Sequence, residues 1–240
     1  MSYAEKYKEE VDAFVTVCHR LAQHLYVTAH GGNMAWKLED NLILITPTRL
    51  NKGDVTPADI VFIDAAGRTV EGQHKPTGET PMYLNFFRER PDIASVIHSH
   101  PPLTGAFAIT QGVNWLMRPV FPETSTEVGP VPLVPYAEPL TQRLADNFLP
   151  FLQKYNAFLM ANHGLVIMTP RDITWTMMMT ELLECTAASL LQGLALGPIK
   201  ELTREDVENL DSTIRVRNLP MFGAPGVNQS LTDVYFDQTE

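Results

Sequence analysis

SVIHSHPP, residues 95–102, runs an apolar pair into two histidines one position apart and then into a double proline. Residues i and i+2 of a strand face the same side of a sheet, and proline cannot donate to a ladder. His98 and His100 would therefore stand side by side where Pro101 and Pro102 end a buried strand. Neutral imidazole is the commonest transition-metal ligand, so a strand end carrying two of them is a place for a metal. The alternative at this point is a pair of strand histidines satisfied by backbone or water.

Outward from this strand, helical and extended patterns alternate. Val11, Phe14, Val15, Cys18, Leu21, Ala22 and Leu25 recur at helical spacing over roughly 4–27, and Gly31-Gly32 ends the pattern. LILIT (42–46) and IVFID (60–64) are apolar runs rich in β-branched residues, and AAGRT after the second marks a hairpin-like turn. A helix over Pro81 to Arg90 precedes the strand with the histidines, and a short helix from Leu103 follows it. Four prolines between Pro119 and Pro132 mark a loop. Helix, strand, NHG, strand and helix complete Pro139 to Gly197, with Thr169 as the expected N-cap of the last helix, Pro170 at its first position, Asp172 in its first turn and Gly197-Pro198 as its stop. A further helix starts at Thr203, with Asp206 closing a capping box. The class is α/β: one domain over 1–217, then an extension over 218–240 that is either lightly held or docked on a neighbouring subunit.

The chain has 240 residues, 45% of them hydrophobic and 19% charged, enough for one large core. A net charge of -10 disfavours nucleic acid or an anionic membrane as a partner for the whole surface. Cys18 and Cys185 are isolated and fall in helical patterns, which indicates neither a disulfide framework nor a thiolate cluster and suits a reducing compartment. With no apolar leader in MSYAEKYKEEVDAF and no uninterrupted apolar run of spanning length, the expectation is a cytoplasmic protein.

A catalytic zinc usually has three protein ligands and an open position. His163, in the polar trio NHG between two apolar runs, is the candidate third ligand, unless it is a turn histidine bonded to its own loop. Glu79, in HKPTGETP, is a fourth candidate, unless it is only a first-turn helix residue favoured by the macrodipole. GGNMA (31–35), ITPTR (45–49) and PTGE (76–79) are segments whose N–H groups and small polar side chains could converge on an oxyanion, although each alone reads equally as a turn.

Asn33 after a glycine pair, TPT at 46–48, KPxxE at 75–79, H-x-H at 98 and 100, VPY at 134–136 and NHG at 162–164 occur in this order over about residues 10–195. That order resembles the class II aldolase/adducin family, within it the zinc-dependent sugar-phosphate aldolases. The resemblance implies a three-layer α/β/α fold around a central, largely antiparallel sheet, and a homotetramer with active sites near subunit interfaces. It implies His98, His100 and His163 as ligands of one Zn2+, and Glu79 as a residue near or on the metal at rest that does acid/base work with substrate bound. It also implies a substrate-binding set of Asn33, Thr48, Arg49, Thr77 and Gly78. Zinc would stabilise the enediolate left by carbon–carbon cleavage beside a ketone, with no lysine Schiff base.

Departures from the family pattern bear on the substrate. Thr48-Arg49 stands where the fuculose-phosphate type reads Thr-Gly, and Thr77-Gly78 where it reads Ser-Ser, so one hydroxyl is lost and one cation gained. A family tyrosine that donates a proton falls at Phe121, with Tyr235 in the tail as a candidate stand-in. The leading expectation is retro-aldol cleavage of a ketose, phosphorylated at C1, to dihydroxyacetone phosphate and an aldehyde. Rival readings are a 4-epimerase, whose pattern has Asp where Glu79 stands, a decarboxylase in which Arg49 holds a carboxylate, and a non-catalytic adducin-like scaffold. Should Glu79 not be the base, His30 and Tyr83 are next.

Overall fold

The computed structural model describes residues 2–220, 222–227 and 230–236. Helices α1 (Tyr3–Lys6) and α2 (Lys8–Gln23) lead into the hairpin of β1 (Asn33–Glu39) and β2 (Leu42–Ile45). The hairpin of β3 (Val61–Ile63) and β4 (Thr69–Glu71) follows, then α3 (Thr80–Glu89) and β5 (Ser95–Ser99). Next come α4 (Pro102–Ile109), α5 (Pro122–Glu127), β6 (Leu133–Val134), α6 (Gln142–Asp146), α7 (Leu149–Leu152), β7 (Ala157–Met160) and β8 (Gly164–Thr169). The chain finishes with α8 (Ile173–Leu196), α9 (Arg204–Arg217) and α10 (Leu231–Tyr235).

The strands form one sheet in the order β4-β3-β2-β1-β5-β8-β7-β6, antiparallel except for β6 with β7. β5 is thus an interior strand, and all five of its residues are buried. Alternation along the strands divides the core. Ala35, Ile43, Ile45, Val96, Phe158, Val166 and Met168 face α3, α6, α7 and α9. Met34, Leu42, Leu44 and Ile97 face α2, while Leu159, Leu165 and Ile167 face α4 and α8. Helices therefore cover both faces of a largely antiparallel sheet, the layering that the resemblance implied. On the α3 face, Phe86 meets Phe148 edge-on at 5.0 Å, and Phe148 meets Phe158 at 5.5 Å. Edge-to-face pairs of this kind contribute about 0.5–1.5 kcal/mol each beyond their burial.

Several boundaries differ from the sequence expectations. The first helical pattern ends at Gln23, and Leu25, assigned to its apolar stripe, is exposed with a φ of 58°. β1 begins at Asn33 and had not been recognised as a strand. Its first residues are buried without polar alternation, so GGNMA read as a loop. Pro122 opens α5 inside the proline-rich stretch, where proline is pre-organised for the first helical turn. The N-cap of α8 is Asp172, not Thr169: Asp172 accepts from the Trp175 N–H, while Thr169 stays in β8 opposite Ser95. The capping box of Thr203 and Asp206 is present as expected.

The described part of the tail packs on its own chain. Leu219, Phe222, Leu231 and Val234 join the core on the α3 face, Asp211 accepts from the Leu231 N–H, and Tyr235 packs against the same core. Residues 237–240 lie outside the described residues.

Candidate active site

Antiparallel pairing assembles the site. In the register of β1 with β5, Asn33 lies opposite His98, and on the other side of β5, His98 lies opposite Val166 of β8. The turn between β7 and β8 carries His163 back to the same strand end. Asn162 adopts a left-handed φ of 56° there, a conformation asparagine tolerates, and the His163 N–H donates to the Met160 carbonyl. Gly164 must lack a side chain, because a Cβ would meet the Ser99 carbonyl oxygen at 2.5 Å and the His100 ring at 2.6 Å.

His98, His100 and His163 consequently converge, with one nitrogen from each inside a 4.8 Å span. Nε2 of His98 and Nε2 of His100 are 3.1 Å apart. Two ligands about 2.05 Å from a tetrahedral zinc would be about 3.3 Å apart, so this spacing fits an ion of that size. Nδ1 of His98 donates to the Leu165 carbonyl at 3.0 Å, which fixes the tautomer with the Nε2 lone pair facing the cluster. Nδ1 of His163 is buried without a hydrogen-bond partner. Burial pushes the pKa of His98 down to about 3 and that of His163 to about 4, and lowers that of His100 as well. Near neutral pH all three rings are uncharged, the form that binds a cation. The donor set fits a divalent metal.

Glu79, at the N-terminus of α3, is buried against this cluster. Its carboxylate lies 3.6 Å from Nε2 of His98 and 3.9 Å from Nε2 of His163. Nδ2 of Asn33 donates to Glu79 at 2.8 Å, and the buried Tyr83 hydroxyl shares its proton between the Asn33 side-chain oxygen at 2.6 Å and its backbone oxygen at 2.7 Å. Burial first and the Glu79 charge second raise the pKa of Tyr83, so it stays a donor.

ITPTR and PTGE are stitched together beside the cluster. The Thr48 N–H donates to the Lys75 carbonyl and the Thr77 N–H to the Thr46 carbonyl, each at 3.0 Å. These two N–H groups are occupied, which leaves the threonine hydroxyls as the groups that can face a ligand. A cavity of about 330 Å³ joins Asn33, Thr48, Arg49, Thr77 and Glu79 to the three histidines. Gly78 is exposed at the edge against Leu140 and does not line this cavity. His30 does line it, whereas Phe121 lines a different groove beside the end of α8. Lys52, Pro139 and Leu140 also line it and had not been singled out. LNKGD around Lys52 carries no motif, and only tertiary structure brings it to the site.

Residues 12–191 match the family described as class II aldolase and adducin N-terminal domain. The chain belongs to that family. A 3-oxo-tetronate 4-phosphate decarboxylase from Pectobacterium atrosepticum is 30% identical over 190 residues, covering 78% of this chain and 86% of that protein. An L-fuculose phosphate aldolase from Methanococcus maripaludis is 31% identical over 175 residues, covering 73% of this chain and 92% of that one. Among solved structures, YgbL from Klebsiella pneumoniae, described by three alternative activities, aldolase, epimerase or decarboxylase, superposes with a TM-score of 0.78 at 29% identity, covering 85% and 98% of the two chains. This class II aldolase family member is accordingly a carbon–carbon lyase with a three-histidine group able to hold a metal. None of its described helices is long and apolar enough to cross a membrane.

Proposed function

We propose that the chain decarboxylates a phosphorylated 3-oxo sugar acid, releasing CO2 and dihydroxyacetone phosphate. The observation that carries this reading is the single cavity in which three imidazoles, the Glu79 carboxylate and the Arg49 guanidinium meet. His98, His100 and His163 would hold a divalent ion, which when bound would supply Lewis-acid stabilisation for negative charge developing on substrate oxygens. The bond from the carboxylate carbon to C2 breaks, its electron pair passes into an enediolate, and CO2 leaves. Glu79, held by Asn33, takes up a proton from solvent and delivers it to C2, so that one proton is consumed for each CO2 released. Thr48, Arg49 and Thr77 hold the phosphate, with Arg49 offering a planar fork where the fuculose-phosphate pattern has glycine.

Retro-aldol cleavage of a ketose 1-phosphate, the leading expectation from sequence, is the second reading. It passes through the same enediolate and is favoured by the likeness to the Methanococcus aldolase. The two differ in the leaving fragment. Loss of an aldehyde requires a group to take the proton of the cleaved carbinol, and the position expected to be a tyrosine is Phe121, which has no hydroxyl. Loss of CO2 requires no such group. Zinc as the ion belongs to this proposal, because three imidazoles and one carboxylate oxygen form a donor set that zinc accepts; a homotetramer as the assembly rests on the family resemblance, and the cytoplasm as the place on the two isolated cysteines of the sequence.

Zinc-loaded protein is assayed for dihydroxyacetone phosphate, with CO2 and aldehyde measured in parallel, on 3-oxo-tetronate 4-phosphates and on ketose 1-phosphates. CO2 in one-to-one ratio with dihydroxyacetone phosphate is the expected result. Aldehyde release alone selects the second reading.

A further inference from the structure

Lys52 is the lysine of the cavity lining, and the proposed reaction leaves its chemistry unused. Its residue is 2% exposed, yet it lines the cavity of the three histidines. An ammonium has three N–H donors. Here they meet two acceptors, the Leu50 carbonyl at 2.9 Å and, more distantly, the His30 carbonyl at 3.4 Å. Among the described residues no carboxylate forms an ion pair with it, although the chain carries an excess of ten acidic groups. A buried cation without a counter-charge is costly unless something anionic reaches it, and the cavity is the open route to it.

Its position distinguishes it from Thr77. The His30 carbonyl that Lys52 touches immediately precedes Gly31, where a Cβ would lie 3.1 Å from the His100 ring. Lys52 therefore reaches the cavity from the His100 side, whereas Thr77 reaches it beside Glu79 and α3. A four-carbon 3-oxo acid 4-phosphate bears an anionic group at each end of the carbons that carry the chemistry.

We infer that Lys52 is the contact for the substrate carboxylate, so that the pocket selects a doubly anionic, phosphorylated sugar acid over a singly anionic sugar phosphate. The inference rests on the decarboxylase reading but is tested without turnover. Erythronate 4-phosphate and erythritol 4-phosphate differ only in a carboxylate replacing a hydroxymethyl group, and neither has the ketone needed for reaction. Their dissociation constants are measured by calorimetry on zinc-loaded wild-type protein and on Lys52→Met and Lys52→Gln, so that any contribution of the metal is common to all three.

Wild-type protein should prefer the acid, and both variants should narrow that preference by about tenfold or more, as expected for a hydrogen bond between charged groups. Affinity for erythritol 4-phosphate should stay within about twofold. An unchanged preference, or equal weakening of both ligands, overturns the inference. Should neither variant fold, absence of any preference in the wild-type protein overturns it and a clear preference supports it. CO2 release by a wild-type protein whose variants keep the preference would sink the role of Lys52 and leave the decarboxylase reading standing.

Discussion

Nδ2 of Asn33 donates to Glu79 at 2.8 Å across 46 positions of sequence, and the other end of the same amide is held by the Tyr83 hydroxyl. Because a carboxylate can only accept, the amide is oriented with its NH2 toward Glu79 and its oxygen toward the Tyr83 hydroxyl. Glu79 is thereby fixed beside the histidines while its second oxygen remains free of hydrogen bonds to Asn33. Glu79→Gln should preserve the fold and most of the bound metal but lower kcat by about a hundredfold or more. Deuterium incorporation into dihydroxyacetone phosphate tests this, and exchange at the wild-type rate would identify another base.

Of the three candidate ligands, His100 is only half-buried whereas His98 lies fully buried in the sheet, so loss of His100 should damage the fold less than loss of His98. In His100→Ala, elemental analysis should show metal content falling from about one ion per chain to nearly none, with activity lost in parallel. Circular dichroism should be unchanged. Full occupancy in this variant would exclude His100 as a ligand.

Metal-free protein should lose stability on mild acidification. The pKa of His98 is depressed to about 3 and that of His163 to about 4 by burial, against an unfolded value near 6.5. Between those limits the unfolded chain binds more protons than the folded one, so unfolding free energy falls as pH drops below about 6.5 and levels off only beneath the folded values. Urea midpoints of chelator-treated protein at pH 7.5, 6 and 5 should decrease in that order. Replacing His163 by Gln should flatten the dependence.

Much of the site could be read from the residues alone because its determinants are local. The alternation of a strand places His98 and His100 together, and NHG places His163 on a tight turn. The antiparallel arrangement was not readable in that way. Alternating helices and strands favour a parallel sheet, and only the family resemblance indicated otherwise. Lys52 escaped notice because its carbonyl partners belong to Leu50 and His30, and the second lies 22 positions away in the segment between α2 and β1. The Asp172 cap was missed for a similar reason: β8 extends through Thr169 because Ser95 pairs with it.

Arg49 sets backbone comfort against ligand binding. Its φ of 60° lies in the left-handed region, where a side chain with a Cβ costs about 1–2 kcal/mol and glycine costs almost nothing. No hydrogen bond or ion pair to the described residues holds its guanidinium, which lines the cavity with Thr48 and Thr77. Under the proposed function the guanidinium holds the substrate phosphate, so Arg49→Gly should separate backbone strain from ligand binding. Stability should rise by a few tenths to about 1 kcal/mol, since relief of strain is partly offset by the greater freedom of glycine in the unfolded chain. KM for the phosphorylated substrate should rise by the equivalent of about 1.5–3 kcal/mol, with kcat less affected, as expected when a charged hydrogen bond remote from the reacting carbons is removed. Arg49→Ala should show the same KM with no gain in melting temperature, because alanine keeps the Cβ. An Arg49→Gly protein that melts higher yet binds phosphate esters as wild type would confine Arg49 to the solvent and leave Thr48 and Thr77 to hold the anion.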